Sequence, residues 1–347
     1  MPTRRSSTSP QQKRARLSST SKPTLSTPPI APPTPDEPST PPADSPTDLA
    51  DPDLQAPDSH INHSDAIAYW SSTPATVSGV LGGYPALSRT DIQGSANFLA
   101  KLRRQGAGKE QKGDDAYPKP SERLKRVVDC GAGIGRISVG LLAKVAKRVD
   151  VVEPVGSFCE VVRKEGREGA LKGRLGRVWE VGLEGWRAFD EEGKPDARDE
   201  DDKEGNGANA QGENGQNEEQ DGAEQANGEV ENTAQSIPDT QLYDLIWNQW
   251  CVGQLTDKQL TEYLAKSIAW LSPGGFIVVK ENLSNHVLGQ DIFDETDSSV
   301  TRTKEKFEKI FEDAGLKIVK TELQRGFPRE LYPVRIWGLV PGDGGNR

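Results

Sequence analysis

The chain is 347 residues long, with 33% hydrophobic residues, a mean hydropathy of −0.69 and a formal net charge of −10. It is too polar for one compact body of that length, so part of it is expected to lie outside the fold, and no apolar run reaches the roughly 18 residues of a membrane span. Residues 190–231 alone hold sixteen acids against Lys194, Arg198 and Lys203, which leaves the remainder near neutral and excludes the basic face of a nucleic-acid binder.

Residues 1–60 are mostly Ser, Thr and Pro and read as a disordered tail, because they lack the apolar content that offsets the entropy of ordering. Arg4-Arg5 and Lys13-Arg14-Ala15-Arg16 fit a nuclear import signal and equally a solubilising basic patch. Order is expected from about residue 61. Ser64-Asp65 caps a helix carrying Tyr69 and Trp70, and Val77 to Tyr84 is an apolar loop with paired glycines. Arg89 to Gln105 returns to helical period, with Ile92, Ala96, Phe98, Leu99 and Leu102 as its buried stripe. A Gly/Lys-rich linker covers 106–121. These helices precede the sheet and form an N-terminal cap over its ligand-binding edge.

Arg126-Val127-Val128-Asp129-Cys130-Gly131-Ala132-Gly133-Ile134-Gly135-Arg136 then reads as a strand, a tight turn and a helix start. The glycines let a ligand approach the backbone where a Cβ would collide. Val149-Asp150-Val151-Val152-Glu153 is a second strand with an acid at its tip, placed to accept from a ribose diol. The spacing is G-x-G-x-G, where the dinucleotide fingerprint has G-x-G-x-x-G. Asp129 to Gly135 resembles the first motif of class I S-adenosylmethionine-dependent methyltransferases, and a dehydrogenase stays open at this point.

Val155 to Ala170 has helical period, and Arg177 to Val181 is a third strand followed by Leu183 and Glu184. Residues 190–238 lack periodicity and read as a disordered acidic insertion, either a docking segment for basic partners or a tolerated loop expansion. The fourth strand is Tyr243 to Asn248, and Thr256-Asp257 caps a helix to Leu271. The fifth strand is Phe276 to Lys280, with Glu281-Asn282 at its tip. Asp291 to Ser299 is an acid-rich loop and Thr303 to Ala314 a helix, before strands Leu316 to Leu323 and Val334 to Val340. The pattern gives an α/β fold with a doubly wound, mostly parallel sheet of seven strands, one of them antiparallel. Cys130, Cys159 and Cys251 lack C-x-x-C spacing and read as reduced thiols of an intracellular protein. His60, His63 and His286 are too scattered to suggest a metal site.

Glu153, Leu183, Gln249, Trp250 and Asn282 all fall at carboxyl ends of strands, where such sheets bind ligands, and Asp294 and Asp297 lie just beyond. Trp247 to Asp257 resembles the segment after the fourth strand of the protein α-N-terminal methyltransferases. So do Leu81-Gly82-Gly83-Tyr84, Lys280-Glu281-Asn282 and Asp297-Ser298-Ser299-Val300. The resemblance covers roughly 64–341 and implies one class I methyltransferase domain over 61–341, interrupted by 190–238. It implies transfer of methyl groups from S-adenosylmethionine to the free α-amine of proteins starting Xaa-Pro-Lys once the initiator Met is gone, with ribosomal proteins among the partners.

Carried over by position, the cofactor residues are Gly131, Arg136, Glu153, Leu183, Glu184 and Gln249. Arg136 faces the cofactor carboxylate. Trp70, Leu81, Trp250, Asp294 and Tyr332 bind the peptide. Asn282 positions the nitrogen and Asp297 assists its deprotonation. No metal, nucleic acid or membrane enters this reading, which takes the chain as a cytoplasmic monomer with possible nuclear entry. Gln254 departs from the family, which typically has a histidine there; glutamine cannot accept a proton at neutral pH. The alternatives are a methyltransferase for another amine or small metabolite, and a catalytically weak protein that binds N-termini.

Overall fold

The computed structural model describes residues 56–106, 122–189 and 241–342. The expectations for the tail up to residue 55, the linker 107–121 and the acidic insertion fall outside those residues.

Seven strands form one sheet: β1 (Leu124–Cys130), β2 (Ala146–Val152), β3 (Leu175–Trp179), β4 (Tyr243–Gln249), β5 (Leu271–Asn282), β8 (Leu316–Leu323) and β9 (Val334–Pro341). Their order is β3-β2-β1-β4-β5-β9-β8. The pairs from β3 to β5 are parallel, and β9 runs antiparallel to both β5 and β8. This is the expected doubly wound sheet with one antiparallel strand. The order reverses between β1 and β4, so a crevice opens there at the carboxyl ends of the strands.

The central strands β1, β4 and β5 are largely apolar on both sides because both faces are covered. On one face Val128, Val152, Ile246, Ile277 and Val279 pack against Leu260, Tyr263 and Leu264 of α6 (Asp257–Ile268) and Phe307, Ile310 and Phe311 of α7 (Lys304–Asp313). On the other, Val127, Val149, Val151, Leu245, Trp247 and Val278 meet Phe98, Leu99 and Leu102 of α3 (Leu87–Gly106). Val162 of α5 (Gly156–Glu168) joins that second layer.

Several boundaries differ from the sequence reading. The fold starts before residue 61, because Pro57–His60 is a 3₁₀ turn whose Asp58 carboxylate accepts the Asp257 backbone N–H at 2.8 Å. Helix α1 (His63–Ser72) is capped by Asn62, not Ser64: the Asn62 side chain accepts from the backbone N–H groups of Ser64 and Asp65. The apolar loop contains a helical turn, α2 (Val77–Val80). The helix after the glycine turn passes through a π-helical segment, Ser138–Leu142, before α4 (Ala143–Val145).

The acid-rich loop is a hairpin, β6 (Ile292–Asp294) paired antiparallel with β7 (Ser299–Thr301). The β-branched and aromatic residues of its arms suit strands. Its four-residue tip carries Asp297 and Ser298, the latter at φ 52°. The Ser298 hydroxyl accepts the Asn62 backbone N–H at 2.6 Å, tying α1 to the hairpin.

Candidate active site

The turn after β1 places Gly131, Gly133 and Gly135 at φ 61°, 57° and 75°. These left-handed conformations disfavour any side chain. At Gly131 the constraint is also steric, since a Cβ would lie 2.2 Å from the Cys251 Cβ. Glu153, at the end of β2, accepts the Gly133 N–H at 2.7 Å on one oxygen and the Val155 N–H at 3.0 Å on the other. Burial pushes its carboxyl up to about 7, against the two backbone donors that favour the ionised form.

The turn opens onto a cleft of about 670 Å³. Gly131, Gly133, Glu153, Leu183 and Glu184 line one part of it, and His63, Ile67, Trp70, Trp250 and Gln254 another. A smaller cavity of about 300 Å³ lies beneath the turn, lined by Asp129, Gly131, Arg136, Gln249 and Trp250 among others. Burial raises the Asp129 carboxyl to about 6, and its oxygen accepts from the Ser138 hydroxyl at 2.6 Å.

Arg136 and Gln249 are anchored on a residue absent from the sequence expectation, Asp91. One Asp91 oxygen accepts from Arg136 Nη2 at 3.0 Å, both accept from Gln249 Nε2 at 2.9 Å, and Lys280 Nζ donates at 2.6 Å. Burial lowers the Lys280 ammonium, and the Asp91 carboxylate opposes that shift. Trp250 stands between the two cavities at φ 55°, with the Arg136 guanidinium 5.6 Å and the Lys280 ammonium 5.8 Å from its ring. Its buried indole N–H meets no acceptor among the described residues.

Two side chains fix the segment after β4. Glu281 Oε1 accepts the backbone N–H groups of Cys251 at 2.8 Å and Val252 at 3.0 Å. Fully buried Arg302 donates to the Val252 and Leu255 carbonyls and pairs with Asp257 at 2.8 Å.

Of the residues singled out from the sequence, Gly131, Arg136, Glu153, Leu183, Glu184, Gln249, Trp70 and Trp250 line one or both cavities. Leu81, Asn282, Asp294, Asp297 and Tyr332 line neither. Leu81 is fully buried behind Trp250 in a cluster with Val80, Val155, Phe158 and Val334. Asn282 closes β5 opposite Val334 and is buried, as is Tyr332. Asp294 ends β6, half-buried. Asp297 is buried; its oxygens accept from Ser299 Oγ at 2.9 Å and Gln254 Nε2 at 3.4 Å, so Gln254 lies between it and the cleft.

Tyr69 was also missed. Burial and the carboxylates of Asp297 and Asp294 push its phenol up to about 12, so it stays a hydrogen-bond donor at neutral pH. His63 lines the cleft one turn of α1 ahead of Ile67 and, like Tyr69, carries no motif of its own.

The arrangement fits an S-adenosylmethionine-like ligand. It offers a side-chain-free cradle at the glycines, a carboxylate for a diol, a guanidinium for a carboxylate and an orphaned indole N–H for an acceptor. Among the described residues no group of His, Cys, Asp and Glu is arranged to hold a metal, and no helix is long and apolar enough to cross a membrane.

The family described as AdoMet dependent proline di-methyltransferase matches residues 58–196 and 213–340. The chain is 33% identical over 286 residues to alpha N-terminal protein methyltransferase 1 of Schizosaccharomyces pombe, covering 80% of this chain and 96% of that protein. It is 31% identical over 268 residues to the N-terminal Xaa-Pro-Lys N-methyltransferase 1 of Xenopus tropicalis, covering 77% and 89%. A solved SAM-dependent methyltransferase from Leishmania major superimposes with a TM-score of 0.56 at 28% identity, covering 80% of this chain and 82% of its own.

Proposed function

This chain belongs to the family of AdoMet-dependent proline di-methyltransferases; it is an S-adenosylmethionine-dependent protein N-terminal methyltransferase, and we propose that Asp297 and Asn282 organise its reaction on Xaa-Pro-Lys N-termini. The observation that carries the reading is the single cleft in which Glu153, Leu183 and Glu184 share one space with Trp70, Trp250 and Gln254. The first group would hold the cofactor and the second the peptide.

The bound cofactor supplies an electrophilic methyl group on a sulfonium. The protein has then to present an unprotonated amine in line with it. A peptide α-amine has a pKa of about 7.7–8.0, so deprotonation is not demanding and alignment carries most of the acceleration. In this reading Gly131 and Glu153 hold the ribose side, Leu183 and Glu184 the adenine, and Arg136 and Gln249 the amino-acid end. Trp70 and Trp250 flank the second-position proline, backed by Leu81 and Tyr332. Asp294 and Asp297 attract the third-position lysine.

Asn282, which lines neither cavity, positions the amine indirectly from the end of β5, and Asp297 takes its proton through a water that bypasses the Gln254 amide. The proposal extends to ribosomal proteins as substrates, to a monomer, and to a cytoplasmic enzyme with nuclear entry. For location the support is compositional: unpaired cysteines and the basic cluster Lys13-Arg14-Ala15-Arg16.

The test is mass spectrometry of an Xaa-Pro-Lys peptide incubated with the protein and S-adenosylmethionine, beside Asp297→Asn. Methyl groups on the α-amine, much slower in the variant, are expected. An unchanged rate in Asp297→Asn would move the base elsewhere. A second reading, a protein that binds N-termini with little turnover, rests on Gln254; cofactor and peptide binding without methylation would favour it.

A further inference from the structure

We propose that Asp91 is a positioning residue for the cofactor: from α3 it holds Arg136 and Gln249 in the attitude in which they receive the amino-acid end of S-adenosylmethionine. This rests on the reading above, in which those two residues take that end.

Asp91 is fully buried, and a buried carboxylate persists only when it is paired and hydrogen-bonded. Lys280 alone would satisfy the charge. That ammonium is itself wholly buried and closed off on its other sides by the Ser95 hydroxyl at 2.9 Å and the Gln324 amide oxygen at 2.9 Å. Asp91 nevertheless spends its remaining acceptor capacity on the two polar residues that line the cavity beneath the glycine turn. It therefore stands between an inaccessible cation and the cavity wall.

The geometry fixes both wall residues in orientation. Arg136 Nη2 donates to Asp91 and Nη1 to the Ser88 hydroxyl at 3.1 Å, so each arm of the guanidinium has its own anchor on α3. The Trp250 ring 5.6 Å away bounds the same group from a third direction. Two of five N–H donors are used, which leaves three for a ligand. The Gln249 amide is set by chemistry as well as distance. Trp247 Nε1 can only donate, so the Gln249 oxygen 3.2 Å from it must accept, and the NH₂ must face Asp91.

The charges suit a zwitterionic ligand end: the Arg136 guanidinium matches a ligand carboxylate, and the Asp129 carboxylate on the wall of the same 300 Å³ cavity matches its ammonium. Without Asp91 the site would be more positive, yet Arg136 and Lys280 would repel and Gln249 would lose its acceptor. Orientation then outweighs the gain in charge, because a bidentate contact needs the guanidinium plane in place.

The test is calorimetric titration of the intact protein with two ligands. S-adenosylhomocysteine carries the amino-acid end, whereas 5′-methylthioadenosine shares the adenosine and the sulfur but lacks that end. In Asp91→Asn the affinity for S-adenosylhomocysteine should fall roughly tenfold to hundredfold, the loss of one or two charge-assisted hydrogen bonds, while 5′-methylthioadenosine binds as before. Asp91→Glu, which keeps the charge but displaces the oxygens that hold Arg136 and Gln249, should give a smaller loss with the same ligand dependence, and it carries the test if Asp91→Asn does not fold. Equal losses for both ligands, or none for S-adenosylhomocysteine, would overturn the proposal. Should the unaltered protein bind both ligands equally, the assignment of Arg136 and Gln249 to the cofactor fails first, and the role of Asp91 with it.

Discussion

The amide nitrogen of Gln254 lies 3.4 Å from a carboxylate oxygen of Asp297, and of the two residues Gln254 lines the cleft. Glutamine relays no proton, so any transfer from the cleft to Asp297 has to bypass this side chain through water. Gln254→His puts an imidazole beside the carboxylate, the base-and-orienter arrangement of general-base sites. We expect the substitution to raise kcat on an Xaa-Pro-Lys peptide by about tenfold. The gain should disappear in Gln254→His/Asp297→Asn. Steady-state rates of the three variants against the parent decide it, and a histidine variant no faster than the parent would leave Asp297 without a relay role.

Cofactor affinity should depend on pH through Glu153. Its carboxyl sits at about 7, so it is a full acceptor for a ribose diol only above that value. Affinity is therefore expected to weaken as pH falls from 8 to 6, by about tenfold per unit at most once the group is protonated. Glu153→Gln should bind more weakly at pH 8 and show a flatter profile. A residual step nearer 6 belongs to Asp129 in the smaller cavity. Titrations at closely spaced pH values separate the two.

Glu281 predicts a pH effect on stability. Burial holds its folded-state carboxyl at about 7, above the ordinary 4.5. A raised carboxyl means the folded state binds the proton more tightly than the unfolded one, so its contribution is complete below about 4.5 and is lost as pH rises through about 7. Glu281→Gln keeps an acceptor for the Cys251 and Val252 N–H groups and removes that titration. Urea midpoints at pH 5 and pH 8 should differ less in the variant than in the parent, with the remainder carried by Glu153 and Asp129. A difference as large as the parent's would show that Glu281 is not the group titrating.

Gly131→Ala should abolish cofactor binding and lower stability. The left-handed backbone costs about 1 kcal/mol for any L side chain. The new methyl would also lie 2.2 Å from the Cys251 Cβ, on a segment already held by Glu281. Gly173→Ala is the control, since Gly173 has φ 71° but nothing within 4 Å of an added Cβ. Thermal denaturation of both should show the larger loss for Gly131→Ala. Equal losses would mean that Cys251 gives way freely.

The sheet and the glycine-turn side of the cleft are legible because their signals are local. Val127 and Val128 running into Gly131, Gly133 and Gly135 announce strand, turn and helix within eleven residues, and Glu153 follows at the next strand end. Asp91 was not legible, although it falls in phase with the buried stripe: positions 91, 95, 98 and 102 share one face of α3, and a polar residue at a core position is itself a signal. Its partners Arg136, Gln249 and Lys280 lie 45, 158 and 189 residues away, beyond any periodicity. The β6–β7 hairpin is not legible as strands because its arms are three residues each and its tip is acidic. Asn62 was passed over as a cap because Ser64, two residues later, is an equally good capping type.

The bond from the Asn62 N–H to Ser298 spans 236 residues of chain, and the one from Asp257 to Asp58 spans 199. The wall that carries Trp70 thus leaves the ribosome long before the segments it docks on, and is among the last to find its place. Closure over so long a loop is entropically costly until the sheet between the two ends has formed. The enzyme is accordingly expected to hold cofactor before it can hold a peptide during biosynthesis. Chains arrested before residue 290 should bind S-adenosylhomocysteine weakly and an Xaa-Pro-Lys peptide not at all, and a peptide-competent arrested chain would refute that order.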